Sequence, residues 1–353
     1  MRAEKASNQW VQASLLAAVR SNLEYWAAQP AAKLRGEGSN LHNAIRYGFY
    51  LFPTRQQAAR LLSQSFGIGL TQPTAWLPLY AAALRTKPLP SSLQAGLLYQ
   101  QAVLLWQHGL IKDAARAFER SQQYAQHHRL SSVHIRSLIG LCLAYSQQPA
   151  KAERAAKRLQ AALSRTRTPT LRAQGYSALG TAAYFAGQHL QASQHIAAAL
   201  QAAPPSLAQG QLHILAGLCA HALGQTDAAL EHYNAAAHRL QQRGASPAQL
   251  ARVELLRATA HYHKSTRGQH VRLQPAVAAL QRAAELLNQG ETDARSRAQL
   301  ESLLGRAYTR RGEVAQGIRY LTSALELSAD TNEPHLAADI FAALQELETK
   351  NPA

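Results

Sequence analysis

Apolar residues along this chain recur three and four positions apart, and stretches of strict alternation are hard to find, which predicts helices throughout. The clearest unit runs Tyr176-Ser-Ala-Leu179-Gly180, then Gly187, Ala192, Ile196, Ala199 and Pro204. Small residues at Gly180, Ala192 and Ala199 would let two antiparallel helices approach closely. Leu179, Ala183 and Ile196 would fill the seam, Gly187 would allow the turn, and Pro204 would stop the second helix. The pattern returns as Ala216-Gly217, Ala220, Gly224, Ala229, Tyr233 and Ala236, and again as Leu304-Gly305, Tyr308, Gly312, Gly317, Leu321 and Ala324. Weaker copies are Leu98, Ala102, Leu105, Gly109, Ala114 and Phe118, then Ile139-Gly140, Leu143 and Ala152. Taking Gly109, Gln147, Gly187 and Gly224 as the turn position, successive steps are 38, 40 and 37 residues. Gly224 to Gly312 is 88 residues, room for two units with a degenerate copy between them. In that copy one helix is expected near Pro247–Lys264, a polar loop over Ser265–Leu273, and a second helix from Pro275 to Asn288.

This order of small, large and turn residues resembles the tetratricopeptide repeat, with a period longer than the usual ~34 residues. The resemblance implies an all-α, right-handed superhelical solenoid of antiparallel helix pairs, about six to eight repeats long. Repeat boundaries are expected near 91–130, 131–168, 169–205, 206–245, 246–290 and 291–332. Residues 333–353, with a helix from Pro334 to about Thr349, would form the C-terminal cap.

Residues 1–90 are helical but off-pattern, and are expected to be divergent helix pairs continuous with the solenoid. Trp10, Leu16, Val19, Leu23 and Trp26 share one helical face. Ser39 is placed to cap a helix carrying Leu41, Ile45 and Tyr50, which Pro53 ends or restarts. Ser39-Asn-Leu-His-Asn-Ala-Ile45, a helix over Ala58–Ser65 and Trp76-Leu-Pro-Leu-Tyr-Ala-Ala-Ala-Leu84 resemble the helices that open the C-terminal superhelical arm of STAND-type signalling ATPases and related transcriptional regulators. That resemblance covers roughly residues 35–130. The chain departs from such proteins in having no G-x-x-x-x-G-K-[ST] phosphate loop, so it would be an excised arm or a free-standing relative.

Composition narrows the chemistry. Of 353 residues, 47% are hydrophobic, which argues against a disordered chain. Two cysteines, Cys142 and Cys219, exclude a disulfide framework or a cysteine-based zinc site, and both are expected as buried thiols. The opening residues lack the apolar run of a secretory leader and no transmembrane segment stands out, so a cytoplasmic protein is expected. His127, His128 and His134, His189 and His195, and His261 with His263 invite a metal reading, but no carboxylate or cysteine joins them at ligand spacing. Ordinary surface imidazoles are expected instead. No catalytic set, metal site or cofactor motif emerges, and the chain is read as non-enzymatic.

Charge is unevenly placed. Residues 38–226 carry 17 Lys and Arg against only Asp113, Glu119 and Glu153, net +14 of the chain's +17. Density peaks at Lys151, Arg154, Lys157, Arg158, Arg165, Arg167 and Arg172. Lys151, Arg154 and Arg158 fall on one helical stripe, suited to phosphates, acidic segments or an anionic surface, or simply to solubility.

The tetratricopeptide resemblance further implies that the first helix of each pair lines a concave channel. Carrying over the phase of the turns, one channel position reads Trp106, Tyr184, His221 and His261, and its neighbour Tyr145, Phe185, Tyr262 and Arg310. Thr181 and Arg306 lie one turn earlier, and Tyr99 a turn before that row. Rings in a channel suit an extended peptide or a helix, though aromatic residues there also pack repeat against repeat. The leading expectation is a protein- or peptide-binding scaffold, a regulatory, sensor or adaptor module in bacterial-type signalling or transcriptional control. The alternative is a helical-repeat protein that binds nucleic acid through the basic region at 112–172.

Overall fold

The computed structural model describes residues 2–29, 36–204, 209–267, 273–290, 294–330 and 334–350, with side chains throughout except at 2–11, 266–267, 330, 334 and 348–350. The described residues form helices without a strand, in two compact units, Met1–Ala186 and Gly187–Ala353.

The first unit holds α1 (Arg2–Ala27), α2 (Gly38–Tyr50), a short 3-10 turn (Phe52–Thr54), α3 (Arg55–Gln64), α4 (Phe66–Gly69) and α5 (Pro73–Arg85). It continues with α6 (Ser91–Gln107), α7 (Ile111–His127), α8 (Ser131–Ala144), α9 (Pro149–Leu163) and α10 (Pro169–Phe185). Leu23, Trp26, Leu41, Ile45 and Trp76 meet in one core that extends to Leu97 and Leu104 of α6. The side chain of Trp10 lies outside the described residues. Ser39 does not cap α2: the helix already starts at Gly38, and Glu37 in the cap position makes no side-chain cap bond. Pro53 restarts the chain, since its 3-10 turn leads straight into α3. A second core runs from Ala102 through Phe118, Leu138 and Leu159 to Leu179, so each helix there is shared between neighbours.

The second unit holds α11 (His189–Ala202), α12 (Gln209–Ala222), α13 (Thr226–Gln242), α14 (Pro247–Arg267), α15 (Gln274–Asn288), α16 (Ala294–Arg310), α17 (Val314–Asp330) and α18 (Pro334–Lys350). α14 runs on through Ser265 to Arg267, so the polar loop expected from Ser265 starts later, and its residues 268–272 lie outside the described part. Leu321 and Ala324 of α17 and Ile340 of α18 form the last core cluster, which buries the apolar face of the terminal helix.

Close approach within pairs follows from glycine opposite a large side chain. A Cβ on Gly217 of α12 would sit 2.4 Å from Tyr233 Cε1 of α13, so the ring lies directly on the glycine backbone. Tyr233 is 1% exposed, and burying such a ring stabilises by about 2 kcal/mol. The turns between paired helices put Gly109, Gly224 and Gly312 at φ 77, 76 and 88°, where a left-handed residue closes the helix end. Among the described residues a left-handed turn is made once without glycine, at Arg129 between α7 and α8, φ 57°.

Candidate functional site

The sequence-derived channel positions fall near the C-terminal ends of the first helices, and their surroundings differ between the two units. In Met1–Ala186, Trp106 lies one residue before the end of α6 and Phe185 ends α10, 39% and 58% exposed, large rings left in solvent. Tyr184 is half-buried and stands edge-on to Phe185, centroids 5.8 Å apart. Thr181 donates its hydroxyl to the Ser177 carbonyl at 2.9 Å, which turns it inward along its own helix. Tyr99 packs against Phe118 of α7, centroids 6.0 Å apart, and joins the core, where burial raises its phenol pKa. Tyr145, at the end of α8, donates its hydroxyl to Glu119 Oε1 at 2.7 Å while Lys151 Nζ lies 5.2 Å from its ring centroid. Burial first, then that bond to a carboxylate, pushes its phenol up to about 12.

In Gly187–Ala353 the structure joins residues that the repeat phase does not. His221 at the end of α12 hydrogen-bonds His263 on α14, Nε2 to Nδ1 3.0 Å, with the rings stacked 4.9 Å apart. His261, two positions earlier, is half-buried, and burial followed by the charges of Arg257, Lys264 and Arg282 lowers its pKa. The phase carried over from the turn glycines places His261 in this row, whereas the ring that meets His221 is His263. Arg310 stacks over the Tyr262 ring at 5.8 Å. Both line a hollow of 680 Å³ together with Arg306 and with Asp339 and Glu346 of α18. Arg306 donates from Nη2 to the Asp339 carbonyl at 3.1 Å, and its buried Nε has no hydrogen-bond partner among the described residues. The part taken by α18 escaped sequence reasoning, because a capping helix carries no repeat phase.

The basic stripe on α9 is largely engaged. Lys151 covers Tyr145, Lys157 pairs with Glu153 at 2.7 Å and holds that carboxyl below its ordinary range, and Arg158 donates to the Gln122 side chain. Arg154, Arg167 and Arg172 are exposed, as is Arg165 at the end of the helix. Among the described residues no group of three His, Cys, Asp or Glu could hold a metal ion. Cys142 and Cys219 are buried, and burial alone pushes their thiols up to about 12 and about 11. No described helix is long and apolar enough to cross a membrane.

No family model and no curated protein matches this chain. Solved structures do. A STAND signal-transduction ATPase with a tetratricopeptide-repeat sensor from Pyrococcus horikoshii superposes over 95% of this chain with a TM-score of 0.63 at 14% identity. The match takes in 49% of that protein, so this chain spans about half its length. BtubC from P. vanneervenii matches over 63% of this chain and 91% of its own, TM-score 0.53, at 19% identity. A Rap protein complexed with Competence and Sporulation Factor matches over 91% and 99% respectively, TM-score 0.51, at 13% identity. At these identities the likeness is one of fold. Paired helices, a glycine-for-ring seam, left-handed turns and these superpositions agree: the chain has the fold of the tetratricopeptide-repeat proteins.

Proposed function

We propose that this chain is a non-enzymatic scaffold that binds a protein or peptide along the first helices of its repeats, as a regulatory, sensor or adaptor module in signalling or transcriptional control. The observation that carries this reading is the exposure of Trp106 and Phe185 near the ends of α6 and α10 in one unit. Large rings left in solvent near helix ends offer apolar area with little ordering cost to a partner. The fold is shared with a Rap protein solved in complex with Competence and Sporulation Factor and with the sensor-bearing STAND ATPase, which supports recognition and sensing as the kind of task this architecture performs. Buried, high-pKa thiols and the scarcity of acids in residues 38–226 support the non-enzymatic reading.

The double variant Trp106→Ala with Tyr184→Ala tests the reading. Retention of a partner from host lysate should fall at least tenfold, the loss expected of two anchor side chains. Helical circular dichroism and the melting temperature should stay near those of the parent. Unchanged retention would remove the groove reading.

A further inference from the structure

A hollow in Met1–Ala186 lies away from the channel positions, where the end of α7, the start of α8 and the end of α9 converge. Its volume is 340 Å³. Arg129 and Arg165 line it, both exposed, and neither guanidinium has a hydrogen-bond or ion-pair partner among the described residues. Ser131 and Thr166 add hydroxyls, while Leu130 and Ile135 supply an apolar wall. No carboxylate lines the hollow, and the three acids of this region are occupied elsewhere: Asp113 with Arg116, Glu153 with Lys157, and Glu119 with the Tyr145 hydroxyl.

Two features sharpen the site. Arg129 occupies the left-handed position that glycine fills at Gly109, Gly224, Gly244 and Gly312, and it is the one non-glycine residue described with positive φ. A side chain there strains the backbone, so a guanidinium has been placed where folding alone would favour glycine. His134 lines the same hollow, and its Nδ1 takes the hydrogen bond from Gln122 Nε2 at 3.2 Å, so its proton sits on Nε2. Burial and the Arg158 charge lower its pKa, which leaves this ring a neutral donor near pH 7.

We propose that this hollow binds a phosphate monoester dianion carried on a small apolar or aromatic stem. Two guanidinium groups match the charge of a dianion and offer bidentate donors to its oxygens, whereas a carboxylate would leave one cation uncompensated. The first turn of α8, which has no side-chain cap, adds free backbone N–H groups. The apolar wall and the volume exceed what a bare phosphate fills. This site is independent of the groove reading.

Calorimetric titration of the full chain with phenyl phosphate, inorganic phosphate and benzoate tests it. Phenyl phosphate should bind at least tenfold tighter than either control, and its affinity should fall below about pH 6 as the dianion gains a proton. Arg129→Gly and Arg165→Gln should each weaken it tenfold or more, while Arg129→Gly raises the melting temperature by relieving the left-handed strain. A phosphotyrosyl tripeptide distinguishes the sources. Tenfold tighter binding than phenyl phosphate assigns the site to a phosphorylated protein, and equal binding to a small phosphorylated metabolite. Equal affinity for phenyl phosphate and benzoate would overturn the proposal, as would full affinity in both variants. So would a single-stranded oligonucleotide that binds more tightly and ignores Arg129→Gly.

Discussion

Gly217 and Tyr233 are the residue pair on which the helix seam of the second unit depends. A methyl group at Gly217 would overlap the Tyr233 ring, and the ring is too deeply buried to swing aside. Gly217→Ala should therefore destabilise by about 1–3 kcal/mol, the ordinary cost of overpacking. Gly96→Ala is the control: nothing lies within 4 Å of a Cβ there, and the substitution should be neutral or slightly stabilising by helix propensity. Urea melts of the two variants would separate these outcomes, and a neutral Gly217→Ala would contradict the packing described. Gly217 and Tyr233 were legible in the sequence as members of a repeating order of small and large residues, the same sixteen-residue step separating Gly305 from Leu321. Arg129 was not legible, since a left-handed arginine leaves no compositional mark, and Ser39 misled because a capping residue type fell one position inside its helix.

At the scale of elements, helix identity followed from apolar periodicity, and prolines at 149, 169 and 247 each stand first in a helix, where the missing N–H costs nothing. Phase was carried over from the turn glycines, and it did not contain the contact between His221 and His263, which joins α12 to α14 across 42 residues. The same helices carry histidines whose titration has a sign that can be worked out. Burial is the first cause lowering the pKa of His213 on α12 and of His261 on α14, and His213 Nδ1 also lies 3.4 Å from His232 Nδ1 on α13. The folded state therefore resists protonation while the unfolded chain takes up protons near pH 6.5. Stability is fully present above about pH 6.5 and is lost as pH falls below it towards the depressed folded pKa values. The melting temperature should drop between pH 7.5 and pH 5, and His213→Gln with His261→Gln should flatten that slope. A double variant with the parent's slope would show that these two rings do not drive it.

For the whole molecule, the charge is the feature that composition announces and the structure redistributes. The stripe read from α9 is mostly tied up in local contacts, and Arg165 instead faces a hollow shared with Arg129, which sequence spacing could not bring together across the α7–α8 turn. Because exposed ion pairs contribute little, Lys157→Ala should change stability by less than about 0.5 kcal/mol in a thermal melt. Contact between a protein partner and the exposed rings near the helix ends is what the proposed function requires. It is tested most directly by placing a photo-crosslinking phenylalanine analogue at position 106 or 185, and at exposed Gln160 on α9 as a control, then irradiating in nuclease-treated host lysate. One discrete protein adduct is expected from positions 106 and 185, absent from position 160. No adduct at either ring position, or the same adduct from position 160, would contradict it.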